Sequence, residues 1–310
     1  MPSWYIKAAV QGALSQLPNP QRYNRWFQDH VTKSLRRPDT YFLSKFQQCE
    51  RHLGFYARHN SLERSRPSVA LELGTGWFPI VPIGLALSGV GTVYSVDIQS
   101  LLSRERVRVT LEMYAKAQAQ GQVPMLRADA PERIKTVLRM GERASAKDFL
   151  AHLGIVSLIA DARHLTLDTD SIDLICSNNT LGHIPRAVIV EILREFHRIV
   201  NERGMMSHHI DLADQYAIFD RRITVYNFLK FSDPVWKIFN NDLQYQNRLR
   251  LPDFRELHAE AGFAILEESN QSQPLEVLKK VTLASRFRRY KAEELAVYDA
   301  WIVSRPKVRT

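Results

Sequence analysis

The chain has 310 residues, 45% of them hydrophobic and 24% charged, with a net charge of +9 and only 2 cysteines. That leaves room for one large or two small domains, and it excludes a disulfide scaffold or a cysteine-built zinc site. Cys49 and Cys176 lie far apart, which fits a reducing, cytoplasmic setting. The positive charge admits anionic partners, but its clusters at 103–108, 286–291 and 305–309 do not interleave with aromatics as an RNA-recognition sheet does.

The first residues lack the charged region, apolar core and cleavage site of a signal peptide. Ile6, Val10, Ala13, Leu14 and Leu17 share one helical face, which would either dock on its own domain or lie on a membrane. Residues 1–66 read as a helical extension, broken by PNP at 18–20 and RRP at 36–38. Then the pattern changes. SVALEL (68–73) is a short apolar run flowing into Gly74, and an apolar helix follows from Pro79 to about Ser88. Trp77–Val90, the longest apolar stretch, is too short and too broken by proline and glycine to span a bilayer.

Four further strand-like runs follow: GTVYSVDI (91–98), IVSLIADA (155–162), SIDLICSNN (171–179) and GMMSHHID (204–211). Residues 101–150 are charged and helical in pattern. The run 186–204 repeats its apolar residues at three and four spacings, with Gly204 placed to end a helix. GFAILEES (262–269) and YDAWIVSR (298–305) read as two final strands at one edge. Strands alternating with helices predict a doubly wound α/β fold, with a mostly parallel seven-stranded sheet and helices on both faces. The expected division is a helical extension at 1–66, a ligand-binding core at 67–211, an aromatic-rich cap insertion at 212–252, and the rest of the core sheet at 253–310. The eight aromatics of 212–252 follow the fifth strand, where an open sheet places its ligands; they read equally as a cap or as plain core.

ALELGTGWFPIVP (70–82) joins the first strand to a Gly-x-Gly turn, whose missing Cβ atoms let a ligand approach the backbone. In a dinucleotide fingerprint the third small residue would fall at Pro79, which damages that reading. The stretch instead resembles motif I of the class I S-adenosylmethionine-dependent methyltransferases, among them the type 11-like domains. Glu72, Gly74 and Gly76 match, and Phe78 replaces the last glycine. Asp97 stands where that family binds both ribose hydroxyls, and Asp161 where it binds the adenine amino group. SIDLICSNNTLGHIP (171–185) resembles the fourth strand and its loop, with Gly182 where glutamate is common. The resemblance implies S-adenosyl-L-methionine as cofactor. It implies binding by Glu72, Gly74, Thr75, Gly76, Asp97, Ile98, Asp161, Ala162 and Asn178, with Asn178 and Asn179 beside the sulfonium.

The loop SNNT lacks the Pro-Pro-aromatic turn of amino-group nucleic-acid methyltransferases, and Cys176 reads as strand packing rather than a nucleophile. The aromatic segment leans toward a small or medium organic acceptor, at oxygen, such as a sugar, a glycolipid or a secondary metabolite. An oxygen acceptor usually wants a general base, for which His183 stands first and His209 second. His208 and His209, adjacent on a strand, point to opposite faces. No metal site is expected. The alternatives are a protein of the same fold that binds RNA or a membrane without catalysis, an RNA methyltransferase using the basic surface, and, against Pro79 and Asp161, an NAD-dependent oxidoreductase.

Overall fold

The computed structural model describes residues 3–15, 17, 39–61 and 65–307. The breaks read at 18–20 and 36–38 lie outside these residues. Among the described residues two helices, α1 (Trp4–Ser15) and α2 (Asp39–His59), precede β1 (Val69–Leu73). Next come α3 (Ile80–Leu87) and β2 (Thr92–Asp97). The charged stretch forms α4 (Arg104–Ala119), α5 (Ala130–Leu138) and α6 (Ala146–His152). Then follow β3 (Ile155–Ile159), β4 (Ile172–Asn178), a 3-10 turn at Leu181–His183, α7 (Arg186–Ile199) and β5 (Val200–Asp211). After β5 lie α8 (Tyr216–Phe219), α9 (Asp233–Phe239), α10 (Leu251–Glu260) and β6 (Phe263–Ser272). The chain closes with α11 (Leu275–Lys279), α12 (Ala292–Leu295) and β7 (Val297–Pro306).

The strands form one seven-stranded sheet in the order β3-β2-β1-β4-β5-β7-β6. β1 to β5 run parallel, and β7 runs antiparallel to both β5 and β6. The fold is therefore the mostly parallel, doubly wound sheet expected, with the last two strands at one edge. β1 and β4 meet at the point where strand order reverses, the place at which such sheets hold ligands beyond their C-terminal ends.

Two cores flank the sheet. On one face α2 packs Phe42, Phe46, Cys49, Leu53 and Tyr56 against α3, whose eight residues are all buried. On the other, α7 presents Ile189, Leu193 and Phe196 to β4 and β5, and α10 adds Phe254 and Leu257. Each fully buried side chain of this kind contributes about 1.5–3 kcal/mol. A third cluster stands apart. It joins Trp4 and Ala8 of α1 to Tyr216, Tyr226, Phe228 and Trp236, and to Leu278, Phe287 and Leu295. The aromatics after β5 thus pack largely as a core of their own.

One boundary differs from the sequence expectation. α7 ends at Ile199, not at Gly204, and β5 begins at once at Val200. Gly204 lies inside β5 instead. A Cβ there would sit 2.8 Å from the Ile172 carbonyl oxygen and 2.6 Å from the Val200 side chain, so glycine permits a close approach.

Candidate functional site

The glycine turn leaves β1 at the reversal point. Gly74 and Gly76 both have positive φ, at 80° and 70°, a conformation that disfavours side chains. At Gly74 space is also lacking, because a Cβ would lie 2.3 Å from the Thr180 hydroxyl oxygen. That hydroxyl donates to the Leu73 carbonyl at 3.0 Å and ties the loop after β4 to the turn. Gly76 donates its backbone N–H to Asp97 Oδ2 at 2.9 Å, and Gln99 N–H donates to Asp97 Oδ1 at 3.0 Å. Asp97 is so fixed at the end of β2 with acceptor capacity left on each oxygen.

A cavity of about 600 Å³ opens beside the turn, lined by Gly74, Asp97, Ile98, Asp161, Ala162, Asn178 and His183. Leu101, Val188 and Ile192 give it apolar walls. Seven of the sequence-derived candidates therefore meet there. Asp161 is already occupied. Its oxygens accept from Arg163 Nε, Nη2 and backbone N–H, and this holds its carboxyl down at about 2. An incoming amino group would have to displace one of those bonds or share an oxygen with it.

A second cavity, of about 140 Å³, adjoins the first through shared Gly74 and Asn178. It holds Glu72, Thr75 and Gly76, and with them Tyr41 and Lys45 of α2. Burial pushes the Glu72 carboxyl up to about 7, against the pull of Thr75, Lys45 and Asn178. The Thr75 hydroxyl donates to Glu72 Oε2 at 3.0 Å and meets the Ser95 hydroxyl at 2.7 Å. Asn178 Nδ2 faces Glu72 Oε1 at 3.5 Å. Asn178 Oδ1 accepts from His52 Nε2 at 3.2 Å, so His52 Nδ1 is left to accept from the Ser207 hydroxyl at 2.9 Å. Burial lowers the His52 imidazole to about 3, which keeps this tautomer neutral. Phe78 and Trp77 both line this smaller cavity. Phe78 also packs on the core, and Arg106 lies over the Trp77 ring at 4.4 Å.

The two candidate bases are not brought together. His183 lines the large cavity, and its Nδ1–H donates to the Tyr245 carbonyl at 2.7 Å, leaving Nε2 with the lone pair. His209 is 7% exposed and stacks on Trp301 at 4.5 Å. Its Nε2 meets Asp299 Oδ2 at 2.6 Å, and its buried Nδ1 has no hydrogen-bond partner among the described residues. It lines neither cavity. His208 points to the other face, against Phe196 and His258, as alternation requires.

Gly182, the other departure from the family pattern, has a local cause. A Cβ there would lie 3.0 Å from the Asp211 carbonyl oxygen. Asn247 also clamps this turn, donating its backbone N–H to the Gly182 carbonyl and its amide to those of Leu181 and Ile184. A glutamate side chain there would start from a crowded Cβ.

Lys45, His52 and Arg163 escaped the sequence reading. The signal for His52 was present: Cys49, His52, Leu53 and Tyr56 share the buried face of α2, an odd place for an imidazole.

The polar small cavity and the larger, mostly apolar one suit a zwitterionic methionine part and an adenosine part. The donors and acceptors present thus fit S-adenosylmethionine. Residues 131–207, about a quarter of the chain, match the family described as a methyltransferase domain. A search of curated proteins returned no match. Among solved structures, a methyltransferase from Methanosarcina mazei is 13% identical, with a TM-score of 0.44 over 79% of this chain and 94% of that one. YcgJ from Bacillus subtilis is 13% identical, with a TM-score of 0.42 over 84% and 100%. Geranyl diphosphate C-methyltransferase from Streptomyces coelicolor is 8% identical, with a TM-score of 0.39 over 77% and 74%. At these scores the likenesses bear on neither donor nor acceptor. The methyltransferase-domain match over residues 131–207 takes in β3, β4 and most of β5 of a sheet reversed only at β7, next to the glycine turn after β1.

Proposed function

We propose that the chain methylates an oxygen of a small or medium organic acceptor in the cytoplasm, with His183 as the general base. The observation that carries this is the His183 tautomer: its Nδ1–H is held by a backbone carbonyl, and it lines the cavity that also holds Asp97 and Asp161. S-adenosylmethionine, when bound, supplies an electrophilic methyl group on a sulfonium. Glu72, Thr75, Gly76 and Asn178 hold its methionine part, with Lys45 beside its carboxylate. Gly74, Asp97, Ile98, Asp161 and Ala162 hold its adenosine part. The residues then need to bring the acceptor oxygen in line with the methyl group and exclude water. His183 Nε2 would take the acceptor's hydroxyl proton while the methyl carbon passes from sulfur to oxygen, the C–S bond breaking and its electron pair staying on sulfur. His209, paired with Asp299, is the second base in this reading and acts if the acceptor reaches across β4. In the same reading 67–211 is the cofactor core, 1–66 an extension, 212–252 a cap and 253–310 the end of the sheet. Nucleic acid is not the acceptor, and α1 makes peripheral contact with a membrane.

The test uses methyl-labelled S-adenosylmethionine with a panel of phenols, alcohols, sugars and amines. His183→Ala should lower kcat by about 10²–10⁴, with little change in cofactor affinity. Label transferred only to amines, or an unchanged kcat in the variant, would sink the reading.

A further inference from the structure

The sequence offered two fates for the apolar face of α1, and the structure gives that helix an unusual orientation. It docks through Trp4, Ala8 and Gln11, with Trp4 ringed by Tyr216, Phe231 and Phe239. The Trp4 backbone N–H also donates to Asp220 at 3.1 Å. The stripe read from the sequence turns outward instead: Ile6 is 56% exposed, and Val10 and Leu17 are exposed with it. Tyr5 joins them beside Phe239, with ring centroids 5.9 Å apart. Next to Phe239 stands Ile238, 77% exposed, and next to Phe219, under the Lys7 ammonium, stands Ile218, 75% exposed.

Eleven large apolar side chains are exposed among the described residues, and seven of them lie on α1, just after it, or on the two helices it packs against, α8 and α9: Tyr5, Ile6, Val10, Leu17, Ile218, Val235 and Ile238. Isolated exposed leucines or isoleucines are ordinary, but a gathering of this kind marks an interaction site. Its charge points to the partner. Residues 4–15 and 216–239 carry five basic side chains, Lys7, Arg221, Arg222, Lys230 and Lys237, against two acids. Both acids are tied to arginines: Asp220 to Arg222, and Asp233 to Arg248 and Arg286. Apolar side chains among cations match the acyl boundary and anionic headgroups of a bilayer surface. Among the described residues no helix is long and apolar enough to cross a membrane, so the contact would be peripheral.

We infer that α1, α8 and α9 form one docking surface for an anionic lipid bilayer, with Ile6, Ile218 and Ile238 entering the interface and Lys230 and Lys237 meeting headgroups. The inference rests on the membrane contact proposed above and is independent of the acceptor. It also gives that contact a consequence. Gln215, three residues before Ile218, lines a small cavity with His183, so the surface adjoins the catalytic turn along the chain.

Flotation of the full chain with vesicles tests this, comparing phosphatidylcholine alone with phosphatidylcholine and phosphatidylglycerol in equal parts. The chain should rise with the anionic vesicles only, and less as salt increases. Ile218→Ser with Ile238→Ser should weaken partitioning at least about tenfold, and Lys230→Glu with Lys237→Glu should weaken it also. Both double variants should bind S-adenosylmethionine with unchanged affinity, which shows that they are folded. No flotation with anionic vesicles, or equal flotation of the isoleucine variant, overturns the inference. So does a concentration-dependent dimer that the isoleucine variant abolishes while vesicles are ignored, since a second copy then covers the surface. Methyl transfer to a water-soluble acceptor is assayed on the same preparations. Its loss with flotation intact would fault the acceptor reading and leave this surface standing.

Discussion

The two cavities proposed to hold the adenosine and methionine ends of the cofactor are built on different principles. The adenosine end is roomy, mostly apolar and open to solvent, and its polar groups sit on strand ends close to the residues that fix them. The methionine end is small and polar, and buried side chains from β1, β4, β5 and α2 hold one another there. In the first, each side chain acts nearly alone. In the second, every member is oriented by the next, so a change propagates.

Asp97→Ala should have the largest effect, since it removes the carboxylate proposed to accept from both ribose hydroxyls. Calorimetry should find both S-adenosylmethionine and free adenosine bound about 100-fold more weakly. Equal affinity for adenosine in the variant would erase the distinction between the two ends.

Glu72→Gln comes next and should separate the ends. S-adenosylmethionine should bind about tenfold more weakly at pH 8, and adenosine equally well. The wild-type affinity for S-adenosylmethionine should fall with acid below about 7, where Glu72 takes up its proton, and the variant should show no such fall. Stability moves the other way. The folded carboxyl holds its proton more tightly than the unfolded one, so this group's contribution is full at low pH and is lost as pH rises through about 7. The variant should therefore be more stable than the wild type at pH 8, by about 3 kcal/mol at most. An earlier midpoint in urea would argue that Glu72 is ionised and paired.

His52→Leu should cost less in binding, about fivefold for S-adenosylmethionine and nothing for adenosine. His52→Gln, which can still donate to Asn178, should recover most of that loss. If the leucine and glutamine variants behave alike, His52 is only filling space. Arg163→Ala has the smallest expected effect and the opposite sign. Freeing Asp161 should tighten adenosine about threefold, and a loss instead would mean that Arg163 itself holds the base.

The same contrast governs what could be read from the sequence. The adenosine end was legible because each part is a short local pattern: a glycine turn after one strand, an acid after the next, another after the third. The mostly parallel sheet, with its last two strands at one edge, followed from the same alternation. The methionine end was half legible. Glu72, Thr75 and Asn178 lie on the motifs, but Lys45 and His52 arrive on a helix whose partners are up to 155 residues away. Tertiary packing alone brings them in. Gly204 was misread for a related reason. A glycine after a helical pattern reads as a helix end, and only the neighbouring strand reveals that it serves a close approach. The ligation of Asp161 by Arg163 was local and could have been anticipated from the pair at i and i+2 in IADAR.

The position of β7 sets a schedule for synthesis. This strand holds residues 297–306, yet it lies between β5 and β6 rather than at the sheet's rim. While the chain leaves the ribosome, β5 has been made for some ninety residues before its antiparallel neighbour exists, the separation of His209 from Asp299. During that interval the β5 edge is unpaired and open to wrong strands, and His209 lacks its carboxylate. The inner edge of β5 is thus covered only once residues 297–306 have been translated. A nascent chain halted before residue 297 would expose a sticky edge, and ribosome-bound chains of increasing length should lose chaperone contacts there only once β7 has emerged.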